Sequence, residues 1–157
     1  MKTLTAYFSA SNTTAIVANR LAGVIGSEVF EIKPTVPYSE KDLNWKNPFS
    51  RCNKEKFGKK SIEINGKIED FDSYDFFYIG FPIWYFGAPT IIESFLKQYD
   101  FSGKKIALFA TSGGSDIGKT PEKLKPFLSD NAQVVAAKVF PVDVGEEELK
   151  AWAATAL

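Results

Sequence analysis

The order in which short apolar runs and helical spacing alternate along the chain constrains its fold more than any other feature. Leu4 to Phe8 is an apolar run rich in strand formers, and after it Val17, Leu21, Val24 and Ile25 recur at helical spacing, with Gly26 as a stop. Glu28 to Ile32 alternates polar and apolar and reads as a second strand, closed by Pro34 and Pro37. The segment from Phe71 to Phe81 ends in FFYIGF, too short for an ordinary helix and punctuated by Gly80 and Pro82, which predicts a buried parallel strand. Pro89 suits a first helical turn, and Ile91, Ile92, Phe95, Leu96 and Tyr99 form one helical face. Ile106 to Ala110 repeats the strand, Thr120-Pro121 opens a helix carrying Leu124, Phe127 and Leu128, and Val134 to Phe140 is a fifth strand. Glu146, Glu147 and Glu148 start a last helix that buries Leu149 and Trp152, as the helix dipole favours. Five strands alternating with helices predict an α/β architecture, a doubly wound parallel sheet with helices on both faces.

All 157 residues are expected in one domain, 1–157. Tyr38 to Asn65 interrupts the pattern: it is polar, basic in its second half and broken at Asn47-Pro48, with helix potential in SEKDLNW and RCNKEKF.

Histidine is absent, which removes the commonest general base and the commonest transition-metal ligand together. The single cysteine, Cys52, stands among polar neighbours, leaving no disulfide or thiolate cluster, and it reads as incidental. No catalytic side chain and no metal site are therefore expected; chemistry would come from a bound cofactor. Nineteen basic residues balance nineteen acidic ones, so nucleic acid and membrane surfaces are not expected partners. MKTLTAYFSAS has no apolar block long enough for a signal peptide, and a cytoplasmic location is expected.

In doubly wound sheets ligands bind beyond the carboxyl ends of the strands, where strand order reverses, which directs attention to the loops after the first, third and fourth strands. The first loop crowds Ser9, Ser11, Asn12, Thr13 and Thr14 at a helix start, more polar groups than one cap requires. Backbone N–H groups there converge on an anion and hydroxyls add donors without charge, which suits a phosphate monoester. GxxxxGK[ST] and GxGxxG are both absent from that loop, which argues against nucleoside triphosphates and dinucleotides. The second loop sets Trp84, Tyr85 and Phe86 between Pro82 and Gly87, with Ile83 beside them. Three successive large rings cannot share one core, so at least one should line a cleft, with Trp84 the first choice to stack on a flat ring. The third loop places Gly113 and Gly114 after Thr111 and Ser112, where backbone can approach the polar edge of a ligand. Phosphate donors, an aromatic wall and a polar backbone strip together suit FMN.

These segments, YFSASNTT, GFPIWYFGAP and FSGKKIALFATSGGSDIG, resemble the flavodoxin-like proteins, in particular short bacterial flavodoxins and related reductases, over nearly the whole chain. In that family the first loop reads like FS-x-[ST]-GNT and wraps the FMN phosphate; this chain matches at Phe8, Ser9, Ser11 and Thr14. It has Asn12 where the family has glycine and Thr13 where it has asparagine. Asn tolerates a left-handed backbone, so the loop can keep its shape. The resemblance implies a strand order 2-1-3-4-5 and a phosphate role for Ser9, Ser11, Asn12, Thr13 and Thr14. It also implies flavin contacts from Pro82, Ile83, Trp84, Tyr85, Phe86 and Gly87, and contacts to the pyrimidine edge or ribityl chain from Thr111, Ser112, Gly113 and Gly114. Asp143, after the fifth strand, reads as a solvated carboxylate.

A flavin accepts one electron or two, so electron transfer between redox partner proteins and NAD(P)H-dependent reduction of quinones or nitro compounds both stay open, electron transfer being placed first. The net zero charge fits less well with electron carriers steered by strong acidity. The reductase reading needs a second pocket over the flavin, which Tyr38, Trp45, Phe49 and Phe57 could build from the long segment. A cofactor-free protein-interaction module is the third reading, with Asn12 in its favour. No self-complementary patch is evident, and a monomer is expected.

Overall fold

The computed structural model describes residues 1–58, 61–112 and 114–157. Five parallel strands form the central sheet: β1 (Thr3–Tyr7), β2 (Glu28–Glu31), β5 (Phe76–Pro82), β6 (Lys105–Thr111) and β7 (Gln133–Phe140). Their spatial order is β2-β1-β5-β6-β7. Counting only these strands, that is 2-1-3-4-5, the flavodoxin-like order. Two further short strands, β3 (Lys33–Pro34) and β4 (Ile64–Asn65), pair antiparallel, so Pro34 joins a ladder at its edge instead of only ending β2. They pin together the two ends of the long excursion between residues 35 and 63.

The central strands are buried on both faces, and their alternation sorts side chains between two cores. Leu4, Ala6, Phe77, Ile79, Phe81, Ile106 and Leu108 point to one side, where α3 (Thr90–Gln98) brings Ile91, Ile92, Phe95 and Leu96. Tyr7, Phe76, Tyr78, Ala107 and Phe109 point to the other, covered by α1 (Thr13–Ile25) through Val17, Ala18 and Leu21 and by α5 (Glu146–Ala156) through Leu149 and Trp152. Gly80 falls on this second face, where a Cβ would stand 2.1 Å from the ring of Phe109 on the adjacent strand. FFYIGF therefore needs its glycine for close ring packing.

Gly26 ends α1 in a left-handed conformation, φ 70°, as its position predicts. Phe71 leads a short 3-10 turn, Phe71–Ser73, rather than the strand itself. In the excursion, RCNKEKF forms α2 (Arg51–Gly58), whereas SEKDLNW does not become a helix. Ser39 and Asp42 bond each other's backbone N–H groups, Ser39 N–H to Asp42 Oδ2 at 2.9 Å and Asp42 N–H to Ser39 Oγ at 3.2 Å, a capping box that opens a single turn, Leu43 N–H to Ser39 C=O at 3.2 Å. The Thr120-Pro121 helix is short, α4 (Thr120–Leu124), and runs on as 3-10 turn to Phe127. Among the described residues no helix is long and apolar enough to cross a membrane.

Candidate functional site

The loops leaving the carboxyl ends of β1, β5 and β6 meet around a cleft of about 650 Å3. Ser11 reaches it from the first loop, Pro82, Ile83, Trp84, Tyr85 and Phe86 from the second, and Ser115 from the third. Leu43, Trp45 and Cys52 of the excursion complete the wall.

The first loop divides its polar residues among three environments. Asn12 adopts φ 69° and ψ −8°, the left-handed geometry that turns β1 into α1, so the loop keeps a glycine-like bend without glycine. The Asn12 side chain makes no cap hydrogen bond to the first turn of α1, and among the described residues no other side chain does, which leaves helix-start N–H groups to meet an anion. Ser11 is exposed at the cleft, and Thr13, half-buried, is the first residue of α1. Ser9 lines an adjoining cavity of about 390 Å3 that also contacts Tyr38. Its Oγ and Thr120 Oγ1 are the buried side-chain oxygens, among the described residues, that have no hydrogen-bond partner. Such an orphan costs about 1–3 kcal/mol unless a ligand or water completes it. Thr14 instead turns inward and hydrogen-bonds Thr111 across 2.7 Å. Two residues assigned by sequence to the ligand are thus partners of each other.

The second loop is a two-residue turn. Trp84 N–H donates to Gly87 C=O at 2.8 Å and Gly87 N–H to Trp84 C=O at 3.0 Å, while Tyr85 (φ 52°) and Phe86 (φ 62°) both take left-handed conformations. That backbone ordinarily selects Asn-Gly, and side-chain-bearing residues there store on the order of 1 kcal/mol or more each. The turn sends its rings in three directions. Trp84 goes inward, edge-on to Phe8 and to Tyr38 at 5.6 Å centroid separations. Tyr85 goes to α2, its hydroxyl 3.3 Å from Cys52 Sγ and its ring 5.6 Å from Phe57. Phe86 goes out and is 79% exposed. Gly87 is buried and closes the turn, and it does not line the cleft.

In the third loop, Ser112 Oγ accepts N–H groups of Gly114 at 3.2 Å and Ser115 at 2.8 Å, so this hydroxyl shapes the loop itself. Gly114 borders a neighbouring hollow with Phe86, Lys119 and Lys123. Gly113 lies outside the described residues. Asp143 is exposed, as a solvated carboxylate should be.

Cys52, read as incidental, is buried: α2 turns Cys52 and Asn53 inward and leaves Lys54 and Phe57 exposed, with Arg51, Glu55 and Lys56 half-buried. Ser115, Leu43 and Ala10 are further lining residues that the sequence did not single out; only Ser115, inside TSGGSD, carried a signal. The excursion is anchored by Arg51, whose Nε bonds Glu55 at 2.9 Å and whose guanidinium lies 4.0 Å over the Tyr38 ring. Tyr38 donates to Glu55, and burial together with that carboxylate holds its phenol far above the usual tyrosine range. Burial and the Cys52 contact raise Tyr85 as well.

Among the described residues lining the cleft, none is Lys, Arg, Asp or Glu. Uncharged walls suit a flat neutral ring, and the uncapped helix start with Ser11 suits a phosphate held by N–H and O–H donors. The orphaned Ser9 hydroxyl beside that loop supplies a further unfilled donor.

The sequence model of a family described as Flavodoxin matches residues 2–156. A candidate flavoprotein from Bacteroides eggerthii DSM 20697 is 37% identical, with TM-score 0.89 over 99% of this chain and 98% of that one. A second, from Bacteroides uniformis ATCC 8492, is 36% identical, with TM-score 0.88 over 98% and 97%. A flavoprotein from Lactobacillus acidophilus NCFM, solved in complex with FMN, is 26% identical, with TM-score 0.72 over 97% and 98%. A search of curated proteins finds no match.

Proposed function

From the premise that the chain belongs to the flavodoxin family, we propose that it binds FMN in the cleft above β1, β5 and β6 and carries electrons between protein partners. The observation that carries this reading is the convergence of all three sequence-flagged loops on one uncharged cleft beside an uncapped helix start. The Lactobacillus acidophilus complex supports the choice of FMN. The flavin supplies the redox chemistry when bound. Ser11, Ser9 and the N–H groups opening α1 hold the phosphate, and Trp84, Tyr85 and Ile83 flank the ring, with Trp84 fixed by Phe8 and Tyr38.

A second reading, NAD(P)H-dependent reduction of quinones or nitro compounds, is favoured by one feature: Leu43, Trp45 and Cys52 extend the cleft beyond the three loops, as a substrate pocket over the flavin would require. A cytoplasmic monomer suits either role.

Mixing the purified protein with FMN tests the premise: a yellow complex and a raised melting temperature are expected, and a colourless, unshifted protein would leave a cofactor-free interaction module. Within a yellow protein, a long-lived one-electron stage during stepwise photoreduction supports the carrier. Its absence, with rapid NAD(P)H oxidation once a quinone is added, supports the reductase.

A further inference from the structure

We infer that α2 is a positioning element for the flavin site, with Cys52 and Phe57 clamping the Tyr85–Phe86 turn into its left-handed form. The inference rests on the FMN reading given above and goes beyond it, since it assigns a role to a segment outside the three ligand loops.

The turn needs an external restraint. Tyr85 and Phe86 hold φ of 52° and 62°, a backbone that side-chain-bearing residues rarely adopt, and no glycine or asparagine relieves it. The two hydrogen bonds between Trp84 and Gly87 close the turn, but such bonds also close turns of unstrained hand. What singles out this hand is where it sends the rings. With Trp84 seated between Phe8 and Tyr38, the left-handed pair swings Tyr85 toward α2, and there its two ends are met separately. The hydroxyl lies 3.3 Å from Cys52 Sγ, and the ring packs edge-on against Phe57 at 5.6 Å.

The clamp itself is fixed. Cys52 is buried, and its sulfur also lies 3.4 Å from Ser50 Oγ. Asn53, the next residue, bonds the carbonyls of Trp45 and Asn47 at 2.9 and 2.7 Å, tying α2 to the preceding turns. Thr90 Oγ1 donates to Glu55 C=O at 3.2 Å, tying α2 to the start of α3, just beyond the turn. Tyr85 is thus gripped by a helix that is itself braced to the preceding turns and to the start of α3. Because Tyr85, Phe86 and Cys52 all line the cleft, releasing the grip changes the wall against which the flavin packs.

The test compares the full chain with Cys52→Ala, Cys52→Ser, Tyr85→Phe and the Cys52→Ala/Tyr85→Phe pair. Cys52→Ala is expected to weaken FMN binding about tenfold, equivalent to 1.4 kcal/mol, and to alter the visible flavin spectrum. Tyr85→Phe should do the same, Cys52→Ser should restore near-native affinity, and the pair should be no worse than either single change. In cofactor-free protein, Cys52→Ala should speed hydrogen exchange at the Trp84 and Gly87 amides, a readout that stands even where FMN fails to bind. Unchanged exchange at those amides overturns the clamp. Unchanged affinity and spectrum in a wild-type protein that does bind FMN overturns the positioning role alone, and additive losses in the pair overturn the coupling between the two residues.

Discussion

Thr14 Oγ1 and Thr111 Oγ1 lie 2.7 Å apart, both buried, and join the start of α1 to the end of β6 across 97 residues of sequence. Removing one partner strands the other hydroxyl away from water, which costs more than the bond itself contributes. Thr14→Val and Thr111→Val should each destabilise the protein by about 1–3 kcal/mol in urea unfolding, and the double variant should recover most of that loss. Strictly additive losses would mean that the two hydroxyls do not depend on each other.

Ser9 behaves oppositely, because its buried hydroxyl has no hydrogen-bond partner among the described residues to lose. Ser9→Ala should leave cofactor-free stability unchanged or slightly raised, yet weaken FMN binding by about tenfold, the effect of one hydrogen bond to a charged group. Calorimetric titration with FMN, beside urea unfolding without it, separates the two. Lower stability with unchanged affinity would make Ser9 structural.

The fold was legible because each strand is bounded by its own chemistry: FFYIGF by Pro82, and the first βα unit by the SASNTT loop and Gly26. The three ligand loops were legible for the same reason, as their residue types contradict ordinary turns. Direction was not. Sequence places Trp84, Tyr85 and Phe86 together, but left-handed φ at Tyr85 and Phe86 separates them, and those angles depend on α2. Thr14 likewise looks like its neighbours until Thr111, distant in sequence, comes within bonding distance. Cys52 was hidden by its charged sequence neighbours, of which Arg51, Glu55 and Lys56 are themselves half-buried once α2 docks.

Gly80 has no room for a side chain, since an added Cβ would meet Phe109 Cζ at 2.1 Å and two further ring carbons within 2.8 Å. The ring is fully buried and cannot move without displacing α1 or α5 contacts. Gly80→Ala should therefore cost about 1–3 kcal/mol by overpacking, and Gly80→Ala/Phe109→Leu should regain part of it. A neutral Gly80→Ala in thermal unfolding would contradict this packing.

Alkaline conditions should weaken the fold partly through Tyr74, whose hydroxyl donates to Glu28 at the amino-terminal end of the sheet. Burial, then the Glu28 hydrogen bond and charge, push its phenol up from 10.0 to about 12. Between those values the unfolded chain sheds a proton that the folded protein retains, so stability is intact below pH 10 and falls as pH rises toward 12. Other buried tyrosines shift in the same direction, Tyr78 among them, so wild-type stability drops by their combined effect. Tyr74→Phe removes one contributor, and its urea stability should fall less steeply between pH 9 and about 11 than that of the wild type. Equal slopes would detach Tyr74 from the alkaline loss.

Asn12 is where the chain departs from the first-loop pattern it otherwise resembles, and its φ of 69° explains how the departure is accommodated. Asn pays a small conformational cost there that glycine avoids and alanine increases. If the bend is what exposes the N–H groups of α1 to a phosphate, affinity should follow backbone tolerance and not side-chain chemistry. Asn12→Gly should keep FMN affinity within about threefold, whereas Asn12→Ala should lower both stability, by about 1 kcal/mol, and affinity. Should Asn12→Gly lose FMN while Asn12→Ala keeps it, the Asn12 side chain, and not the left-handed bend, would govern binding at this loop.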